Sequence, residues 1–441
     1  MVLVLNSKSM NRMLYAAAFF MFIMGFLIHD LGFPIGTMAI LDVVVFIGIV
    51  FSLRFFSDCI HNTQAGVMIA IGACLLVIAV IYGLYAQVPI TLLSDGVRNS
   101  FRGIATFTVT VCLLKKETVK KIIRLAECFF WINVVVCTIQ FFLLGVSHDN
   151  CNGLFGAGKM NSWTNILICM ISVYNISRYM NKTKPLHLVA INIVACLYIA
   201  VIAELKAFFF ELVIILMIMI FMDRPSWRKL FVCIVGGLAL SAMLAVFIAF
   251  WDDNSVFTVE GLRYYFSEDR SFGYAAQGDW GRIGGIANAT EKFFSQGLNL
   301  FGMGLGYCGF DTPFYDKYGW LHYNWFSYIS IFLEQGWVGI VGYIAFFVVN
   351  FWALQKRKKQ ALTADAKTVY EISLIMSALG IFIVFYNSSV TGYPAFFLYL
   401  LVGMSYRYEL DGGELPQQGI LKEYHNGQLV NNDILQNSSH G

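Results

Sequence analysis

Charged residues are scarce in this sequence. Asp, Glu, Lys and Arg make up 13% of its 441 residues, against about 25% in a soluble domain. With 58% hydrophobic residues and a mean hydropathy of +0.68, this scarcity excludes a soluble globular chain. An integral, polytopic, all-α membrane protein remains. Metal signatures are missing too: there is no CxxC, no HExxH and no histidine cluster, so nothing asks for a metal or another cofactor. No GxxxxGK[ST] phosphate loop is present, which tells against an ATP-driven pump. No internal repeat is visible, whereas many secondary transporters are built from repeats. Nothing points to nucleic acid. The first apolar run follows Lys8 and Arg12, as in a signal peptide, but lacks a small-x-small cleavage site and reads as an uncleaved span.

Apolar runs fill most of the chain. A spanning helix needs about 20 mostly apolar residues. The runs at 13–28, 38–53, 65–86, 98–114, 125–144, 162–179, 186–203, 207–222, 229–250, 328–354, 369–386 and 393–406 predict about twelve transmembrane helices. Basic residues gather in alternate connections: Lys8 and Arg12; Arg54; Lys115, Lys116, Lys120, Lys121 and Arg124; Arg178, Lys182 and Lys184; Arg224, Arg228 and Lys229; Lys356 to Lys359 and Lys367. By the positive-inside rule these face the cytoplasm, as do both termini. The expected organisation is a membrane domain over 1–406 and a polar, disordered cytoplasmic tail over 407–441.

One outer segment, 251–324, is long. It carries five basic and nine acidic residues with many aromatics and glycines, a content that argues against disorder. It predicts a large loop before the tenth helix, with short amphipathic helices over the outer membrane face. Most of the ten cysteines sit in spans as small apolar residues. Cys151 and Cys308 fall in the two outer loops, where a disulfide between them is one option.

The charges that interrupt apolar sequence carry the functional reading. "IAELKAFFFEL" at 202–212 holds Glu204, Lys206 and Glu211 inside a long apolar stretch, where a charge is costly. Glu204 and Lys206 either solvate a tight outer hairpin or serve a site. A helix starting near Glu204 would put Glu204, Phe208 and Glu211 on one face. In "DGVRNSFRGIATF" Arg98 and Arg102 are four apart, at the outer start of a span. They either snorkel to the interface or form an anion site suited to phosphate or pyrophosphate. Arg282 precedes Gly302, Gly304 and Gly306, a pattern that reads first as a loop tie. His322, Tyr323 and Asn324 stand just outside a span that contains Glu334, Gly336 and Gly339. His322 is either an interfacial histidine beside Trp320 and Trp325 or a catalytic group. Trp280, Tyr307, Trp320 and Tyr323 either stack on sugars or anchor the loop.

In order along the chain, these segments resemble the O-antigen polymerase/ligase superfamily of bacterial membrane glycosyltransferases. "NGLFGAGKMNS" at 152–162 looks like its outer Gly-x-Phe-Gly segment, and "ELKAFFF" like the stretch with its basic mid-chain residue. Arg282 followed by "FGMGLG" resembles its arginine-to-glycine loop. "HYN…EQGWVG" resembles its His/Asn-x-Glu-x-Gly-x-x-Gly ending, except that Tyr323 separates His322 from Asn324. The resemblance implies a GT-C-like membrane fold and a metal-independent, inverting transfer of glycan from undecaprenyl pyrophosphate at the outer face of the inner membrane. It implies that Arg98, Arg102, Lys206 and Arg282 hold pyrophosphate, with Glu204 or Glu211 orienting Lys206. His322 would take the acceptor proton, with Glu204 as runner-up, and Asn324, Glu211 and Tyr323 would contact substrate. Membrane lipids and a chain-length regulator are the further partners it implies. Joining repeat units into polymer is the favoured reading. Ligation to lipid A core and flipping or transport of a lipid-linked glycan are the alternatives.

Overall fold

A computed structural model describes residues 7–61, 63–146, 150–156, 161–222, 226–251, 284–294 and 299–408. Arg282, Trp280 and about half of the long outer segment lie outside the described residues, as does the tail beyond 408. Among the described residues there is helix and no strand. The reason is in the composition: backbone amides surrounded by apolar side chains must be satisfied within their own segment, and only a helix does that locally.

The elements run α1 (Ser7–His29), α2 (Ala39–His61), α3 (Thr63–Tyr85), α4 (Ile90–Leu113), α5 (Lys116–Phe142), α6 (Asn161–Met180), α7 (Leu186–Ile202), α8 (Lys206–Phe221) and α9 (Trp227–Trp251). They continue with α10 (Gly285–Phe293), α11 (Pro313–Tyr318), α12 (Ser327–Lys358), α13 (Ala364–Tyr386), α14 (Ala395–Gly403) and α15 (Ser405–Tyr408). Seven of them, α1, α2, α3, α5, α9, α12 and α13, are long and apolar enough to cross a membrane. Of the rest, α4 carries Asp95, Arg98 and Arg102, and α7 and α8 have 17 and 16 residues. Prolines stand immediately before α4, α7 and α14, where a missing N–H is harmless. Thr363 caps α13 by accepting from the Ala366 amide at 3.1 Å.

Of the seven long apolar helices α13 is the most enclosed, held between α12, α6 and α14, while α4 packs on α2, α3 and α14. Helices α2 and α9 turn most of their side chains outward. Side chains of the basic segments meet at one end of the bundle. Lys120 pairs with Asp365 at 3.1 Å, Lys184 with Glu127 at 3.2 Å and buried Lys358 with buried Glu371 at 2.7 Å. Asn181 joins the last pair from the α6–α7 turn, and Arg228 donates to the Tyr179 carbonyl beside it.

Two boundaries differ from the sequence reading. Helix α4 begins at Ile90, so Arg98 and Arg102 lie well inside it and not at its start. Helix α8 begins at Lys206, so Glu204 belongs to the turn before it and shares no helical face with Phe208 and Glu211. A short break precedes each helix, Gln87 to Pro89 before α4 and Ala203 to Leu205 before α8, and only the second carries a charge, Glu204.

Candidate functional site

The α7–α8 turn is built on an acidic residue in an unusual place. Glu204 is left-handed, with φ 51°. The Leu205 amide donates to Ala200 O at 2.8 Å and the Glu204 amide to Val201 O at 3.3 Å, the pattern of a helix end closed by one left-handed residue. Glycine is the usual choice there, since any Cβ is strained by about 1 kcal/mol. The carboxylate that replaces it forms an ion pair with Lys206 at 3.0 Å, both side chains being more than four-fifths buried. Glu204, and not Glu211, is therefore the partner that orients Lys206.

Glu211 lies one turn deeper and is fully buried. Its Oε2 accepts from Asn165 Nδ2 at 2.6 Å and from the Cys169 thiol at 3.0 Å, and its Oε1 has no hydrogen-bond partner. Beside α6, the segment Asn152–Gly156 is wedged among α1, α5 and α6. Gln140 clamps Gly153 by accepting from its amide at 2.7 Å and donating to its carbonyl at 3.1 Å. Phe155 stacks on Trp163 at 5.9 Å.

The glycine loop does what the loop-tie reading expects, in a way the sequence does not announce. Helix α12 is broken at Gly336, whose φ of 62° and ψ of −155° are non-helical. Residues 299–308 close the break. The Met303 and Gly304 amides donate to the Leu333 and Glu334 carbonyls at 2.7 and 3.1 Å. The Trp337 and Val338 amides donate to the Asn299 and Leu300 carbonyls, both at 3.0 Å. Four backbone groups orphaned by the break are thus satisfied. The Glu334 side chain turns back and accepts from the Cys308 amide at 3.2 Å and from the Gly306 backbone. Gly306 is in turn so close to Leu92 and Gly96 of α4 that a Cβ would overlap them.

Glu334 is thus a backbone acceptor, and its amide analogue keeps that capacity. Glu334→Gln is expected to melt close to wild type. Glu334→Ala leaves buried amides unpaired and should lose about 1–3 kcal/mol. Thermal unfolding in detergent checks this, and equal losses in the two variants would contradict the assigned role.

His322 precedes this helix in a left-handed conformation, φ 51°, with its ring stacked on Trp325 at a centroid distance of 4.1 Å. It is half-buried, as is Asn324. Tyr323 is different. It is fully buried and donates to the Cys308 carbonyl at 2.6 Å. Burial pushes its phenol well above the ordinary value, and the Cys308 thiol is pushed up for the same reason. Tyr323 is a packing post under the loop and presents no face to a sugar. Cys308 sits beside Glu334 in the glycine loop, whereas the Cys151 thiol lies against Cys137 of α5.

Arg98 and Arg102 do not form a pair of free guanidiniums. Arg98 is exposed and pairs with Asp95 at 3.3 Å. Arg102 is 4% exposed. Its Nε and NH2 donate to both oxygens of Asp42, at 2.7 and 2.9 Å, and its guanidinium lies 3.9 Å from the Tyr393 ring centre. This occupies the fork that a phosphate would need, leaving buried NH1 without a hydrogen-bond partner. Helix α4 packs on α2, α3 and α14, and α8 on α6, α7, α9 and α13. Arg102 and Lys206 thus belong to different parts of the bundle. Asp42 went unnoticed in the sequence, although a lone acid in the apolar run 38–53 was a usable signal. Comparison with protein-family models finds no match for this chain, and comparison with curated proteins finds none either.

Proposed function

We propose that the protein is a polymerase of an O-antigen or related surface polysaccharide in the bacterial inner membrane. In this reading about twelve helices span the membrane and both termini are cytoplasmic. The substrate is an oligosaccharide on undecaprenyl pyrophosphate. The hydroxyl oxygen of one repeat unit attacks the anomeric carbon of another. The bond to pyrophosphate breaks with its electron pair, and the acceptor proton passes to His322.

The observation that carries this reading is the largely buried Lys206–Glu204 pair. It is held by a strained turn in which only the side chain justifies a residue other than glycine, and such strain persists where function needs it. A fixed ammonium there suits charge developing on a leaving pyrophosphate. Arg98 and Arg282 are the further anion-binding candidates. The gathering of basic side chains at the opposite end supports the orientation.

Purified protein given one lipid-linked repeat unit and no other acceptor is expected to make a ladder of products. Glu204→Gly removes the strain but also takes the carboxylate from Lys206, so its ladder-forming rate is read per folded protein, and it should fall about tenfold or more. Full activity in Glu204→Gly, Lys206→Ala and Arg282→Ala at normal protein levels would overturn the site. Transfer only after addition of lipid A core would identify a ligase. Inactivity with both acceptors, by folded protein given its native repeat unit, favours a transporter.

A further inference from the structure

Two cysteines that sequence position separates are brought together by the fold. Cys137 lies in the last two turns of α5, and Cys151 in the connection from α5 to α6. Both are fully buried. The Cys151 thiol lies 3.5 Å from the Cys137 carbonyl oxygen, and the two side chains interact directly. Their surroundings hold them there. Asn133 accepts from the Leu154 amide at 2.7 Å while its Nδ2 lies 3.6 Å from the Cys137 sulfur. Gln140 holds Gly153 by two hydrogen bonds. Gly153 itself is left-handed, and a Cβ on it would press on the Cys137 sulfur at 2.9 Å. The segment is therefore docked with its cysteine against α5, beside Cys137.

We propose that Cys137 and Cys151 are a disulfide site that locks the Cys151–Gly156 segment onto α5. The proposal rests on the orientation given above, which puts this end of the bundle in the oxidising compartment. The two thiols lose two protons and two electrons as the S–S bond forms. These reduce the disulfide of a thiol–disulfide oxidoreductase to a dithiol. Because both sulfurs are buried once the segment is docked, the bond is made before or during docking and is afterwards shielded from reductants. It closes a short loop and restrains the α5–α6 connection.

The test is peptide mapping of the full chain, purified from membranes quenched with an alkylating agent and then denatured. The expected result is a cross-linked peptide pair containing Cys137 and Cys151, which reduction separates. Cys151→Ser should abolish it and leave Cys137 alkylated. In parallel, exposed Ser94→Cys, in the α3–α4 end of the bundle, is probed in whole cells with a membrane-impermeant maleimide. If Ser94→Cys is labelled above wild type and Cys137 and Cys151 are both alkylated, the disulfide proposal falls while the orientation stands. If Ser94→Cys is not labelled and no cross-link forms, the orientation is wrong and the proposal falls with it.

Discussion

Gly336→Ala is expected to leave almost no folded protein. Three effects act in the same direction. The backbone there, at φ 62° and ψ −155°, lies in a region essentially restricted to glycine, which costs an ordinary residue about 1–3 kcal/mol. A Cβ would overlap the backbone of Leu300 and Phe301, so the loop that closes the break must retreat. Its retreat unpairs the four backbone hydrogen bonds between 299–304 and 333–338, each worth about 1 kcal/mol and more when the groups stay buried. The sum is at least about 4 kcal/mol, a large part of the stability of an ordinary domain. Gly237→Ala in α9 is the control, since nothing lies within 4 Å of the Cβ it would gain. It should be neutral or stabilising by up to about 1 kcal/mol. Fluorescence-detected size exclusion with a thermal melt reads both. A Gly336→Ala protein that melts with wild type would show that α12 is not broken as described.

Asp42→Leu should be nearly as severe, for an electrostatic reason. Arg102 is enclosed by its own helix, by Asp42 and by Tyr393. Removing the carboxylate leaves a guanidinium buried without a counter-charge, and breaking a buried pair from one side costs about 3–5 kcal/mol. Removing both charges relieves most of this. Asp42→Leu/Arg102→Met is expected to be more stable than Asp42→Leu alone, by at least about 2 kcal/mol. If the single and double variants melt together, the pair is not the coupled unit described. Arg102→Lys should also be poor, because a lysine neither makes the two-toothed contact nor stacks flat on the Tyr393 ring. The comparison bears on function as well. If the double variant keeps its activity, Arg102 acts only in holding α4 to α2 and α14, and anion binding rests on Lys206, Arg98 and Arg282.

How far the sequence could be read depended on whether a feature was local. A helix is local, so an apolar run without charge leads directly to one, as in α3 and α9. The Lys206–Glu204 pair was legible for the same reason: the two residues are neighbours, and the apolar stretch around them made their charges conspicuous. The charged positions inside α4 stand out in the sequence, but the partner of Arg102 does not. Whether Arg102 faces an anion or an aspartate depends on which helix lies beside α4, and that partner is 60 residues earlier. Its place next to His322 suggests substrate contact for Tyr323, while the fold buries it under the glycine loop against the Cys308 carbonyl. The thiol of Cys151 could have pointed to Cys308 or elsewhere. Only the docking of 150–156 into α5 selects Cys137.

The sequence by itself determined the medium and the secondary structure. Scarce charge in long apolar runs admits helices in lipid and little else, and the spacing of basic residues orders their ends. The tertiary structure alone decided which polar groups are free to act. In a packed apolar bundle a buried charge or orphaned amide is costly without a partner, and several find theirs on another element. Asp42 took Arg102, the glycine loop took the break in α12, and Asn165 took Glu211. The Lys206–Glu204 turn formed its pair within three residues, with its acid in a conformation that glycine would have filled more easily.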